Sequence, residues 1–261
     1  MTRRESEGLV LETSPLLTAS HGFTTRIGGV SAAPMDSLNI GFGRGDESAN
    51  VIENYNRLGR AVGFDPDRAI LTRQIHGDTI RRVTAVDVFG IEAPRQDCDA
   101  LITDLPGTAL VIFTADCIPV LFHDPVTGAV GAAHCGWRGT ALGLAAKTIR
   151  AMCEAYGCDA ANIRAAIGPG ISTCCFETDA DVPEAMRAAL GEAAEPYLHS
   201  EGEKWHVDLK AINAHWLRSA GVREIDISDS CTACDPTLFW SHRRMGAARG
   251  SQGAVIVCGG V

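Results

Sequence analysis

Two histidines and one cysteine, His76, Cys117 and His134, have the side-chain types that suit one metal ion. Zinc favours imidazole nitrogen and thiolate sulfur, and a catalytic zinc keeps three protein ligands with a fourth position open. Local pattern gives the three a reason to meet. Thr108 to Thr114 is an apolar, β-branched run; Val120-Leu-Phe-His123 follows after the turn-like Ala115-Asp-Cys-Ile-Pro119. Asp124-Pro-Val-Thr-Gly128 then reads as a hairpin turn and Ala129 to His134 as the returning strand. Cys117 precedes the first hairpin strand and His134 closes the second, so antiparallel pairing brings them together. Ala69 to Gln74 reads as a strand that delivers His76 to a loop at its end. Asp116 is the expected partner behind a ligand and a candidate proton carrier. The same residues support a metal-free reading, with Cys117 as nucleophile and His134 as base. The second histidine leans the choice to metal, because a dyad does not need it.

Other side chains offer further chemistry. Cys231-Thr-Ala-Cys234 and Cys174-Cys175 together could supply four sulfurs to a structural zinc. Neighbouring side chains on extended backbone point to opposite faces, however, so the adjacent pair argues against one shared ion. Arg26, Arg138, Arg243 and Arg244 lie in Gly-rich or loop-like segments and suit an anion such as phosphate. Arg138 stands between two glycines just before a helix, where free backbone N–H groups favour negative charge. Gly41-Phe-Gly43-Arg-Gly45 resembles a phosphate loop superficially, but Asp-Glu follows it and the flanking strand–helix pattern is missing. It is set aside.

The elements that must position these residues form a mixed pattern. Helices are expected from Asn50 to Val62, from Thr140 to Tyr156, from Val182 to Leu190, and from Asp208, as N-cap, to Ala220. Ile163 to Ile167, Ile225 to Ile227 and Ala254 to Val257 read as strands. Hairpins mixed with helices predict an α+β layered sandwich, not a doubly wound parallel sheet, in one domain over 1–261. The 261 residues are 46% hydrophobic, which is ample for a core. A net charge of -9 argues against a nucleic-acid binder or an anionic-membrane binder. The N-terminus lacks the apolar run of a signal peptide and no stretch has the ~18 apolar residues of a membrane span. A cytoplasmic protein is expected. Its ten cysteines are scattered, which in a reducing compartment means buried thiols or metal ligands.

The motifs also spell a resemblance. Phe23-Thr-Thr-Arg-Ile-Gly-Gly-Val-Ser31, Ser37-Leu-Asn-Ile-Gly41, Gln74-Ile-His-Gly77, Thr114-Ala-Asp-Cys-Ile-Pro119 and His134-Cys-Gly-Trp-Arg-Gly-Thr140 stand in one order. Ile167-Gly-Pro-Gly170, Cys174-Cys-Phe-Glu177, Val207-Asp-Leu209, Cys231-Thr232 and Ser241-His-Arg-Arg244 continue it. In these the chain resembles the laccase-domain family, long described as multicopper polyphenol oxidases and now regarded as purine nucleoside phosphorylases. The resemblance implies an α/β/β/α layered domain, likened also to cysteine-hydrolase folds. It implies zinc on His76, Cys117 and His134, with phosphorolysis of adenosine, inosine and methylthioadenosine and deamination of adenosine at one site. On that reading Cys117, His134 and Asp116 are catalytic, and Arg26, Arg138, Arg243 and Glu177 bind substrate or phosphate. The partners are then a purine nucleoside and phosphate, to a chain acting as monomer or homodimer. Copper-dependent phenol oxidation is the alternative with copper as metal; against it, no repeated His-x-His pairs are present. A Cys117–His134 hydrolase or amide editor of cell-wall precursors is the other. Three positions depart from the family pattern: Cys135 replaces a usual Ala, His242 a usual Tyr, and Arg249-Gly250 reverses a usual Gly-Arg.

Overall fold

Strands whose successive residues are all apolar must be covered on both faces, and that pattern builds two stacked sheets here. In the strand Gln252–Val257, Val255 and Val257 pack beside residues of the helix Ser48–Val62. Ala254 and Ile256 point the other way, into a central core shared by both sheets. In the strand Ile118–His123, Leu121 enters that central core. Val120 and Phe122 instead join a third core with the helices Leu144–Tyr156 and Leu209–Ser219. The layers are therefore helix, sheet, sheet, helices, as the α+β sandwich requires. The computed structural model describes residues 1–259, so Gly260 and Val261 of the expected 1–261 unit lie outside the described residues.

One sheet runs in the order Thr2–Ser6, Leu9–Thr13, His21–Thr24, Gln252–Val257, Ala109–Thr114, Ala69–Arg73 and Gln96–Asp97. The other runs Glu224–Ile227, Arg164–Ile167, Ile118–His123, Val130–Cys135, Ala100–Thr103 and Ile80–Arg82. The hairpin forms as read, with His134 opposite Pro119 and Cys135 opposite Ile118 in antiparallel register. Among the described residues no helix is long and apolar enough to cross a membrane.

One expected helix differs. Instead of a single element from Thr140 to Tyr156, Trp137–Ala141 and Leu144–Tyr156 are separate. Gly143 sits between them with φ at +71°, a left-handed conformation that ends the first helix. Leu142, assigned to the apolar stripe by sequence, is exposed at this joint. The short strands Leu198–Glu201, Lys204–Val207 and Glu177–Thr178 form a small third sheet that carries no marked period in the sequence.

Candidate metal centre

The three ligand residues arrive from three segments. His76 follows the strand Ala69–Arg73, Cys117 occupies the turn between Ala109–Thr114 and Ile118–His123, and His134 lies in Val130–Cys135. Their ligand atoms all lie within 4.8 Å of one another. The two imidazole rings meet edge to face with centroids 4.9 Å apart. The backbone is strained around them: His76 has φ +59° and Asp116 φ +87°, left-handed values that non-glycine residues rarely adopt. Gly136 supplies the necessary room. A Cβ there would stand 3.2 Å from Cys117 Sγ, 3.3 Å from His76 Cδ2 and 3.6 Å from His134 Cε1. Two imidazoles and a thiol with this spacing, beside a position kept free of side chain, fit one metal ion.

A residue that sequence reasoning missed organises the group. Asp99 is fully buried, and its carboxylate accepts four hydrogen bonds. Oδ1 accepts from His134 Nδ1 at 2.9 Å and from the His76 amide at 3.0 Å. Oδ2 accepts from the Gly77 amide at 2.8 Å and the Ile75 amide at 3.2 Å. One carboxylate thus sets the loop that carries His76 and turns the other nitrogen of His134, Nε2, toward Cys117. This is the arrangement of a carboxylate–histidine pair behind a metal position, in which an outer partner fixes tautomer and ring orientation. Burial works to raise the Asp99 carboxyl, but the His134 and amide hydrogen bonds outweigh it and hold it below the usual range. Its only signal in the sequence is an acidic residue abutting the apolar strand Ala100–Thr103.

Without a metal the pair Cys117 and His134 polarises itself. Burial raises the Cys117 thiol, yet charge and hydrogen bonding from His134, then His76, overcome it and bring it down to about 6. Burial lowers His134, and the Cys117 and Asp99 charges reverse this and lift it to about 9. The thiolate is therefore the favoured state of Cys117, as both metal ligation and nucleophilic attack need.

Asp116 stands differently from its expected place behind a ligand. Its oxygens accept from the Thr232 hydroxyl at 2.6 Å and the Arg243 amide at 2.7 Å, so it ties two loops, and the His134 partner is Asp99. Arg26 is engaged elsewhere: its guanidinium donates to the carbonyls of Asp36 and Pro236 and stacks 3.9 Å over Trp240. Arg138 lies exposed over the Trp137 ring. Glu177 is exposed too, and its carbonyl accepts from Arg243. None of these last three lines a cavity beside the ligands. Cys135, one residue from His134, alternates to the opposite face and is buried in the helix-side core.

Two cavities share His76, Cys117 and Arg249. The first, about 230 Å³, is basic, with Arg44, Arg73, Arg95 and Arg249 in its wall. Arg44 belongs to the glycine-rich 41–45 segment that its sequence alone gave reason to set aside. Burial, then the nearby Arg44 charge, pushes the Arg249 guanidinium down. Among the described residues neither arginine has an ion-pair partner within 4.0 Å, unlike Arg73, which pairs with Asp97. The second cavity, about 350 Å³, is lined by Ile171 and Phe176 with His242 and Arg243. Arg243 reaches it while donating to the carbonyls of Cys175 and Glu177.

Comparison with known proteins matches residues 20–259 to the family described as multi-copper polyphenol oxidoreductase laccase. A purine nucleoside phosphorylase of Deinococcus radiodurans is 41% identical over 252 residues, covering 95% of this chain and 93% of that protein. The purine nucleoside phosphorylase YlmD of Geobacillus stearothermophilus is 36% identical over 251 residues, covering 93% and 90%. The crystal structure of YlmD from the same species superposes with a TM-score of 0.91 at 34% identity, over 98% of this chain and 97% of that one.

Proposed function

This chain belongs to the multi-copper polyphenol oxidoreductase laccase family, and from that premise we propose that it is a zinc-dependent purine nucleoside phosphorylase. The observation that carries the reading is the meeting of a basic cavity and a more apolar one at His76 and Cys117, two of the three residues of the metal-capable group. The relatives named as purine nucleoside phosphorylases support it, being similar over nearly the whole chain. Adenosine, inosine and methylthioadenosine are the substrates, with adenosine deamination as a second activity. The ten cysteines form no disulfide among the described residues, in keeping with a cytoplasmic protein.

His76, Cys117 and His134 hold the ion, which when bound supplies Lewis acidity at the junction of the cavities. Phosphorolysis needs a phosphate oxygen to attack the ribose carbon while the glycosidic bond breaks and its electron pair leaves on the purine. Arg44 and Arg249 hold the phosphate as planar, permanently charged donors whose mutual repulsion an anion relieves. Ile171 and Phe176 exclude water from the purine side, and His242 and Arg243 offer donors at its edge. Asp99 orients His134, and Asp116 ties the turn that carries Cys117 to the short helix that carries Arg243. The test is incubation of each nucleoside with phosphate and metal-replete protein, following ribose 1-phosphate, free base and inosine. Cys117→Ala is expected to lose the ion of the His76, Cys117 and His134 group and activity together; absence of all three products across several pH values overturns the reading.

One observation favours a second reading. Cys117, His134 and Asp99 have the order of nucleophile, base and orienting carboxylate. A thiol hydrolase on this triad predicts activity that survives complete metal removal and a covalent adduct on Cys117. Copper oxidation is the weaker alternative, because the described metal-capable groups contain two histidines in one cluster and none in the other.

A further inference from the structure

We propose that Cys174, Cys175, Cys231 and Cys234 form a second metal site, structural in role, that takes a thiophilic divalent ion such as zinc. The four sulfurs all lie within 4.8 Å of one another, at a place separate from the His76 group. Cys234 Sγ stands 3.4 Å from both Cys174 Sγ and Cys175 Sγ. A tetrahedral ion with metal–sulfur bonds of about 2.3 Å requires sulfur–sulfur edges of about 3.8 Å. The two 3.4 Å separations fall slightly inside that edge, and the whole group stays within 4.8 Å, so a small outward movement of the thiols admits the ion. A disulfide needs about 2.05 Å and a single partner, whereas Cys234 is equidistant from two.

The objection from adjacent cysteines rests on extended backbone, and the backbone here is not extended. The Cys175 and Phe176 amides both donate to the Ser172 carbonyl, so 172–176 curls into a turn and swings the neighbouring side chains to one side. The facing turn is equally fixed. Cys234 and Asp235 amides donate to the Cys231 carbonyl, and the Thr232 amide donates to Gly170 across an isolated bridge between Gly170 and Cys231. Cys231 Sγ in turn receives the Ser172 amide at 3.3 Å, with the Ala233 and Cys234 amides also directed at it. Amides aimed at a sulfur offset the negative charge that four thiolates leave around one divalent ion. Three cations brace the same turns: Lys210 Nζ holds the Ser228 and Ser230 carbonyls, Arg244 the Ala233 carbonyl and Arg243 the Cys175 carbonyl. Cys174 and Cys234 are exposed, which gives an ion a path in.

The position explains why such a clip is useful. One turn leads to Phe176, in the wall of the apolar cavity, and the other carries Thr232, which donates to Asp116 beside Cys117. Binding joins segments sixty residues apart (Cys174 to Cys234, |i−j| = 60) and displaces the thiol protons to solvent.

The test uses full-length Cys117→Ala, which removes the first site from the count. Reloaded with zinc and freed of excess, it is expected to retain one zinc per chain by elemental analysis. Its cobalt(II) form is expected to show intense thiolate-to-cobalt charge transfer and tetrahedral visible bands. Adding Cys174→Ser and Cys234→Ser is expected to abolish both signals. If that variant does not fold, cobalt titration of Cys117→Ala against the intact chain decides alone. Zinc well below one equivalent in Cys117→Ala, no charge-transfer band, or a mass two hydrogens lower without reductant, marking a disulfide, overturns the proposal. Loss of nucleoside activity in the intact chain with this zinc retained would instead count only against the phosphorylase reading.

Discussion

Replacing Asp99 with asparagine separates the positioning of the ligands from the ligands themselves. The amide keeps one carbonyl oxygen and turns the other acceptor into a donor. Each carboxylate oxygen now accepts two hydrogen bonds, so the new NH₂ must face two donors. Facing the Ile75 and Gly77 amides, it leaves both unpaired. Facing His134, it drives the imidazole to the tautomer protonated at Nε2, which cannot ligate a metal, and still opposes the His76 amide. Two hydrogen bonds to a buried charge at roughly 1.5 kcal/mol each make a loss of about 3 kcal/mol. For a chain of this size that lowers Tm by roughly 6–12 °C. Loss of an outer partner to a metal-ligating histidine also weakens metal binding about 10–100-fold. Thermal unfolding of the apo protein and zinc competition against a chromophoric chelator measure the two effects separately. If Asp99→Asn binds zinc within about twofold of the parent and melts within about 2 °C of it, the carboxylate does not organise this site.

Gly136→Ala places a methyl against all three ligands at a φ of -61° that alanine tolerates. Zinc affinity is expected to fall at least tenfold, a loss of ~1.4 kcal/mol or more, with apo Tm nearly unchanged; parent-like affinity would mean the trio does not share one ion. Arg249→Ala is expected to raise KM for phosphate by about tenfold or more, from the loss of one charge-assisted contact, while leaving zinc content intact. An unchanged phosphate KM in initial-rate kinetics would place the anion elsewhere. His21 is held neutral, with Nε2 accepting from the Ser14 amide at 2.9 Å and Nδ1 donating to the Ala19 carbonyl at 2.8 Å. Burial depresses it below its usual 6.5, so under acid the unfolded chain takes up a proton that the folded one refuses. Its contribution is complete above that value and is lost as pH falls below it, by at most about 1.4 kcal/mol per pH unit. Urea unfolding at pH 7.5 and 5.5 is expected to show a smaller acid loss in His21→Gln than in the parent; equal losses would refute the assignment.

Much of the site was legible because it follows from local rules. Strand, turn and strand between residues 118 and 135 determine that Cys117 and His134 become neighbours, since a hairpin register is set by its own residues. Capping glycines and apolar stripes likewise place a helix over Asn50 to Val62 with its stop at Gly63, and the observed helix Ser48–Val62 starts two residues earlier. What the sequence could not display depends on segments distant along the chain. Asp99 acts on His134 across 35 positions, and nothing local marks a buried carboxylate that answers to four donors. Arg44 and Arg249 face one cavity only because the glycine-rich 41–45 segment packs beside the strand Gln252–Val257, with Gly41 against Ser251. Arg26 and Arg138 look equally suited to an anion in sequence, but a tertiary contact with Trp240 engages Arg26, while Arg138 lies over the ring of its chain neighbour Trp137 and lines neither cavity. The four cysteines mark the division most clearly. Their number and spacing are plain in the sequence, but whether two adjacent thiols share a side depends on backbone curvature, and only the packed turn at 172–176 decides it.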